Sequence, residues 1–303
     1  MTTERVDKKW VKQGLASFST EALLGTLSHY GVQTDEASFK KLAETQYPFA
    51  IGAEWDRKWK GTGPFAVFPT AAALSLWERW VPEKISPQNF AQVLAVLMVA
   101  LSAKLTGDTE VPTEEAFAKM SEARTKVPLN EKKEPVEAFL AEALGSFDEK
   151  SVEIFDQLAE ALAGAGHVQD AEAFADLEEF LLPPRKGVSS AMVRAAKGER
   201  DAAVQDLVKL TTEEGRSNIG RLLAVDGLVH LQANSEAAES GRALMLQAEQ
   251  ENDLHLALDL TARLKHVYQQ LNNRTGLQQL EQDVKRLEAA HDVAHPGHRA
   301  HRH

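Results

Sequence analysis

SVEIFDQLAEALAGAGHVQDAEAFADLEEFLLP, residues 151–183, is the stretch that decides the fold. Phe155, Leu158, Ala159 and Leu162 recur at the three- and four-residue spacing of one helical face. Gly166 then breaks the run with a residue free to take a left-handed turn. A second helix resumes through Ala171, and Pro183 closes it because proline cannot continue a helix interior. The small side chains Ala159 and Ala171 let the two backbones approach closely. The unit reads as helix, tight turn, helix, stop.

Downstream, the pattern returns in weaker form. A second unit keeps Ala191, Gly198, Ala203 and Leu207, with Gly187 and Arg194 where large apolar residues stood before. A third is read from Leu222, Val225, Val229 and Ala238, and a fourth from Leu264, Tyr268, Asn272 and Leu277. Ala171, Ala203, Ala238 and Leu277 then lie 32, 35 and 39 residues apart.

On these residues the segment 150–290 resembles the tetratricopeptide repeats, whose period is about 34 residues. The fit is tightest over the first unit, and an irregular helical array would give the same Leu/Ala periodicity. The resemblance implies a right-handed superhelix of helix-turn-helix pairs, with the first helix of each pair lining a concave surface that binds peptides or helices. It puts Glu153, Asp156 and Glu160 on that surface. Their i, i+3, i+7 spacing places them on one helical face independently. Receptors of this family for acidic C-terminal peptides need Lys and Asn there, because a carboxylate must be met by donors. Carboxylates here suit a basic segment of a partner instead, or form a solvated acidic face that serves solubility.

The first 105 residues differ in composition. All five tryptophans, Trp10, Trp55, Trp59, Trp77 and Trp80, lie within the first 80 residues, whereas Tyr268 is the single aromatic after Phe180. Cap-and-stripe patterns recur: Thr20 before Leu23, Leu24 and Leu27; Thr34, Asp35 and Glu36 before Phe39 and Leu42; Ser86 and Pro87 before a long apolar helix to about Lys104. Phe65 to Phe68 is the best strand candidate and is very short. The Trp55/Trp59 pair reads as core packing, or, with Phe65 and Phe68 in a Gly/Pro-rich segment, as an aromatic patch for a partner helix. Residues 106–149, acidic and punctuated by Pro112, Pro128 and Pro135, read as a connector with one helix at Thr113 to Lys126. Residues 291–303 read as a disordered His-rich tail. The expected class is therefore all-α: a Trp-rich helical domain, a connector, and a repeat-like array.

The net charge of −11 is unevenly placed: +2 over residues 1–104, −13 over 105–182, and zero over 183–303. No basic stripe exists to displace counterions from nucleic acid. The sequence holds no cysteine, which removes disulfides and thiolate chemistry and favours a reducing compartment. Residues 1–14 lack the apolar run of a signal peptide, and Val93–Leu101 is shorter than a bilayer span. A cytoplasmic protein without membrane insertion is expected. Phosphate-loop, HExxH and GxSxG patterns are absent, and Gly61-Thr62-Gly63-Pro64 reads as a turn. His291, His295, His298, His301 and His303 are dense enough to chelate a transition metal, but a flexible tail fixes no geometry. No cofactor or resident metal is expected. The functional expectation is a non-catalytic adaptor or scaffold. The alternatives are an enzyme or small-molecule sensor with its pocket in the Trp-rich domain, and a self-associating structural subunit.

Overall fold

A computed structural model describes residues 5–107 and 112–294. Among these residues the protein is all-α, with sixteen helices and no β-strand; one isolated bridge joins Leu129 to Pro135. The helices fall into two compact units, Met1–Ala100 with Pro112–Asp148, and Leu101–Val111 with Glu149–His303.

The first unit contains α1 (Trp10–Gln13), α2 (Thr20–His29), α3 (Glu36–Leu42), α4 (Pro48–Asp56), α5 (Phe68–Trp80), most of α6 (Pro87–Leu105), α7 (Thr113–Thr125) and α8 (Glu137–Leu144). Capping residues sit one position from where the sequence suggested. Ser19, not Thr20, accepts the Ala22 amide, and Asp35, not Thr34, accepts that of Ser38. Both serve the first-turn amides that lack a helical partner. The segment Phe65 to Phe68 is no strand. A 3-10 turn, Gly63–Phe65, leads into α5 instead.

Of the region read as a connector, Pro112–Asp148 belongs to this unit. Phe139 of α8 is fully buried, with its ring 5.5 Å from Phe90 and 5.7 Å from Tyr47. The Ile85 amide donates to the Lys126 carbonyl, and Gln88 donates to Glu142. An acidic surface composition concealed an ordinary apolar inner face. Helix α6 is the one described helix long and apolar enough to cross a membrane, a longer run than Val93–Leu101 suggested. Phe90, Leu94, Leu97 and Leu101 are nonetheless buried within the protein.

The second unit contains α9 (Glu149–Gly164), α10 (Val168–Leu181), α11 (Val188–Ala196), α12 (Arg200–Thr212), α13 (Asn218–His230), α14 (Asn234–Gln250), α15 (Leu254–Gln270) and α16 (Arg274–Ala294). Each packs on the next in sequence; α9 also packs on α11, α11 on α13, α12 on α14 and α13 on α15. Five of the seven junctions use one turn. A left-handed residue stands at Gly166, Gly198, Gln232, Asn252 and Asn272. The amide after each reaches back five residues to the preceding helix: His167 to Leu162, Glu199 to Arg194, Ala233 to Leu228, Asp253 to Ala248 and Asn273 to Tyr268, at 2.8–3.1 Å. This is the Schellman closure, which satisfies carbonyls that the helix end would otherwise orphan.

Five residues beyond each left-handed residue, on the next helix, stands an inward-facing side chain. Ala171, Ala203, Ala237 and Ala257 are there almost fully buried, and Leu277 is partly buried. Counted from Gln232, a residue with no turn signature, this position is Ala237, 1% exposed, while the neighbouring Ala238 is partly buried against the core. The register becomes 32, 34 and 40 residues for Ala171, Ala203, Ala237 and Leu277. The α14–α15 turn at Asn252 was not legible as part of the pattern.

Candidate functional site

Helix α9 carries the acidic stripe. Glu149, Glu153, Asp156 and Glu160 follow one another at four-, three- and four-residue steps, and so share a face opposite the buried Phe155, Leu158 and Leu162. The sequence-selected carboxylates have different fates. Glu153 is exposed and without an ion pair. Asp156 Oδ1 accepts from Arg185 at 2.8 Å, and Glu160 Oε1 lies 3.0 Å from His230 Nε2. Such part-exposed pairs contribute about 0.2–1 kcal/mol each, so they orient side chains more than they hold the fold. The His230–Glu160 pair spans from α9 to α13, and Arg263 of α15 reaches Asp226 of α13. Exposed Val152 and Ile154 stand beside the stripe on α9.

The aromatic residues do not form a surface patch. Trp55, Phe65 and Phe68 are buried in the core of the first unit, and Trp59 is packed against it. Trp59 stacks on Phe68 with ring centres 5.7 Å apart, and its indole N–H donates to the Phe65 carbonyl at 2.7 Å. Trp59 itself is partly exposed, with one face packed on the core and its one donor satisfied internally. The Trp55/Trp59 spacing reflects core packing.

Hollows of about 290 and 320 Å³ lie in the first unit, one beside Trp77, Ile85, Lys119 and Glu122, the other beside Thr26, His29, Tyr30 and Phe65. A third, of about 510 Å³, opens in the second unit between Arg200, Gln232 and Asn234. All three are wide-mouthed.

A buried acid escaped the sequence reading. Glu178 of α10 is 2% exposed, and its Oε1 accepts no hydrogen bond. Burial pushes its carboxyl up to about 7; a hydrogen bond from Ser189 and the Arg185 charge pull it down, and Asp156 and Glu179 push it up again. The signal was present. Glu178 occupies the slot of the stripe Ala171, Phe174, Leu181 that periodicity reserves for an apolar side chain.

Among the described residues no group of three or more His, Asp or Glu side chains is arranged to hold a metal. His291 is not in a disordered tail: it lies in α16, its ring 4.7 Å from that of His255. His295, His298, His301 and His303 lie outside the described residues. No protein-family model, curated protein or solved structure matches the chain.

Proposed function

We propose that the protein is a non-catalytic adaptor or scaffold, and that its second unit is a degenerate tetratricopeptide-like array docking a basic segment of a protein partner against α9. The observation that carries this reading is the recurrence of one closure at five junctions, each followed five residues later by an inward-facing side chain. A stack made of repeated pairs buries each helix against its neighbours and leaves extended side-chain faces for recognition. The acidic stripe supplies charge, and the exposed Val152 and Ile154 supply apolar contact beside it. The sensor reading has less support. The hollows of the first unit are open and sit at the small end of the range of about 300–1,000 Å³ typical of ligand pockets.

Glu153 is the discriminating residue, because it has no structural partner to lose. Peptides selected from a random display library on the immobilised protein are expected to be enriched in Lys and Arg. Their binding should weaken as salt rises, and Glu153→Lys should lower their affinity about tenfold while leaving the circular dichroism spectrum unchanged. Selection of acidic peptides, or equal binding by Glu153→Lys, would remove the acidic groove from the reading.

A further inference from the structure

The connection between α10 and α11 is held by polar ties around one apolar-slot acid. Tandem prolines start a 3-10 turn, Pro183–Arg185, and Gly187 at φ 79° redirects the chain into α11. Arg216, from the start of the next pair, donates to the Pro184 carbonyl at 3.1 Å and the Lys186 carbonyl at 2.7 Å. Arg185 reaches back to Asp156 of α9. Glu179 accepts the Ser190 amide at 2.9 Å, capping the first turn of α11. Glu178, buried in the last turns of α10, is hydrogen-bonded by Ser189 of α11, lies near Arg185 of the strap and has one carboxyl oxygen unpartnered.

We propose that Glu178 makes this strap a pH-sensitive latch: the neutral carboxyl lets α10, the strap and α11 close together, and its ionisation loosens the strap from α11. The groups acting on it come from every side. Asp156 of α9 and Glu179 of its own helix oppose the negative charge; Arg185 of the strap and the Ser189 hydroxyl of α11 favour it. One guanidinium, already committed to Asp156, does not offset burial together with two carboxylates. An ionised Glu178 with an unpartnered oxygen is relieved when water reaches it. The strap joins α10 to α11 beside this acid, and its described side-chain ties are the Arg185–Asp156 pair, the carbonyl bonds from Arg216 and the Glu179 cap, so its opening would admit water. The latch is independent of which partner the acidic stripe binds.

Amide hydrogen exchange on the full chain at about pH 6 and about pH 8, corrected for intrinsic rates, tests it. Protection of the amides of residues 186–192 is expected to fall about tenfold across that interval, the population shift that a carboxyl titrating near neutrality imposes on its opening. The junction between α15 and α16 at Asn272, which has no tie to the strap, serves as the internal reference and should stay constant. Glu178→Gln keeps the shape and removes the titration, so its protection should be equal at both pH values. Unchanged protection in the wild type, the same loss in Glu178→Gln, or an equal loss at the reference junction would each overturn the latch. Should Glu178→Gln not fold, infrared absorption of the wild-type carboxyl decides. A protonated band present at about pH 6 and gone by about pH 8 supports the proposal, and its absence at the lower pH refutes it.

Discussion

Gln232 holds a left-handed backbone at φ 54° at the same turn position where Gly166 and Gly198 stand at 87° and 93°. For an L-residue that conformation costs about 1–2 kcal/mol, partly returned because glycine loses more chain entropy on folding. Gln232→Gly should therefore raise stability by about 0.5–1 kcal/mol, and Gly198→Ala should lower it by about 1 kcal/mol; denaturant midpoints check both. Glycine made the first two turns legible in the sequence, and glutamine hid the third. Glu178 was hidden for the opposite reason, since glutamate reads as surface unless its slot in the stripe is weighed above its charge. Its protonation couples to folding with a definite sign. The ordinary value is 4.5 and the folded value about 7, so the native state binds more protons in between. The contribution of Glu178 should be fully present below 4.5, be lost by roughly 3 kcal/mol as pH rises through about 7, and then level off. It is read as the difference in denaturation between wild type and Glu178→Gln, and a difference that does not fall over this window would contradict the assignment.

Helices were the most legible elements because their apolar stripes must face something whatever the topology. The helix expected at Thr113 to Lys126 is observed as Thr113–Thr125, and the apolar helix opening at Pro87 runs to Leu105. What each helix packs against is set by distant residues, so the place of α7 and α8 in the first unit could not be read from local pattern; Phe139 was the one clue. At the inward-facing alanines, Ala171→Trp should destabilise by about 1–3 kcal/mol or more through overpacking, with Ala203→Trp and Ala257→Trp behaving alike. Ala238→Trp, at a half-buried position, should cost less than Ala237→Trp, and equal costs at positions 237 and 238 would show that both are closely packed. Between α14 and α16 a polar tie takes the place of an apolar one. Asp283, 3% exposed, accepts from Arg242 and Arg286, and Arg286 also pairs with Glu249. Asp283→Ala leaves Arg242 without its carboxylate at a part-buried site, and a loss of about 3 kcal/mol in chemical denaturation is expected.

At the scale of the molecule, aromatic usage changes along a chain of two compact units, which passes from one to the other after Ala100 inside α6, after Val111 and after Asp148. The tryptophans that mark this change are also a built-in probe. All five report on the first unit, while far-UV circular dichroism reports on both. Unfolding followed by the two signals should give non-coincident curves, and superposition of the two over the whole denaturant range would show that the units melt as one. The second unit has a further property. Each of its helices is held by the next and in several cases by the one after that, and five of the seven junctions use the same closure. Drawn out by its two ends, such a stack would behave as a spring with separate coils. Tension would peel it one helix pair at a time in small, nearly equal steps, each able to rewind on release, with no single abrupt rupture.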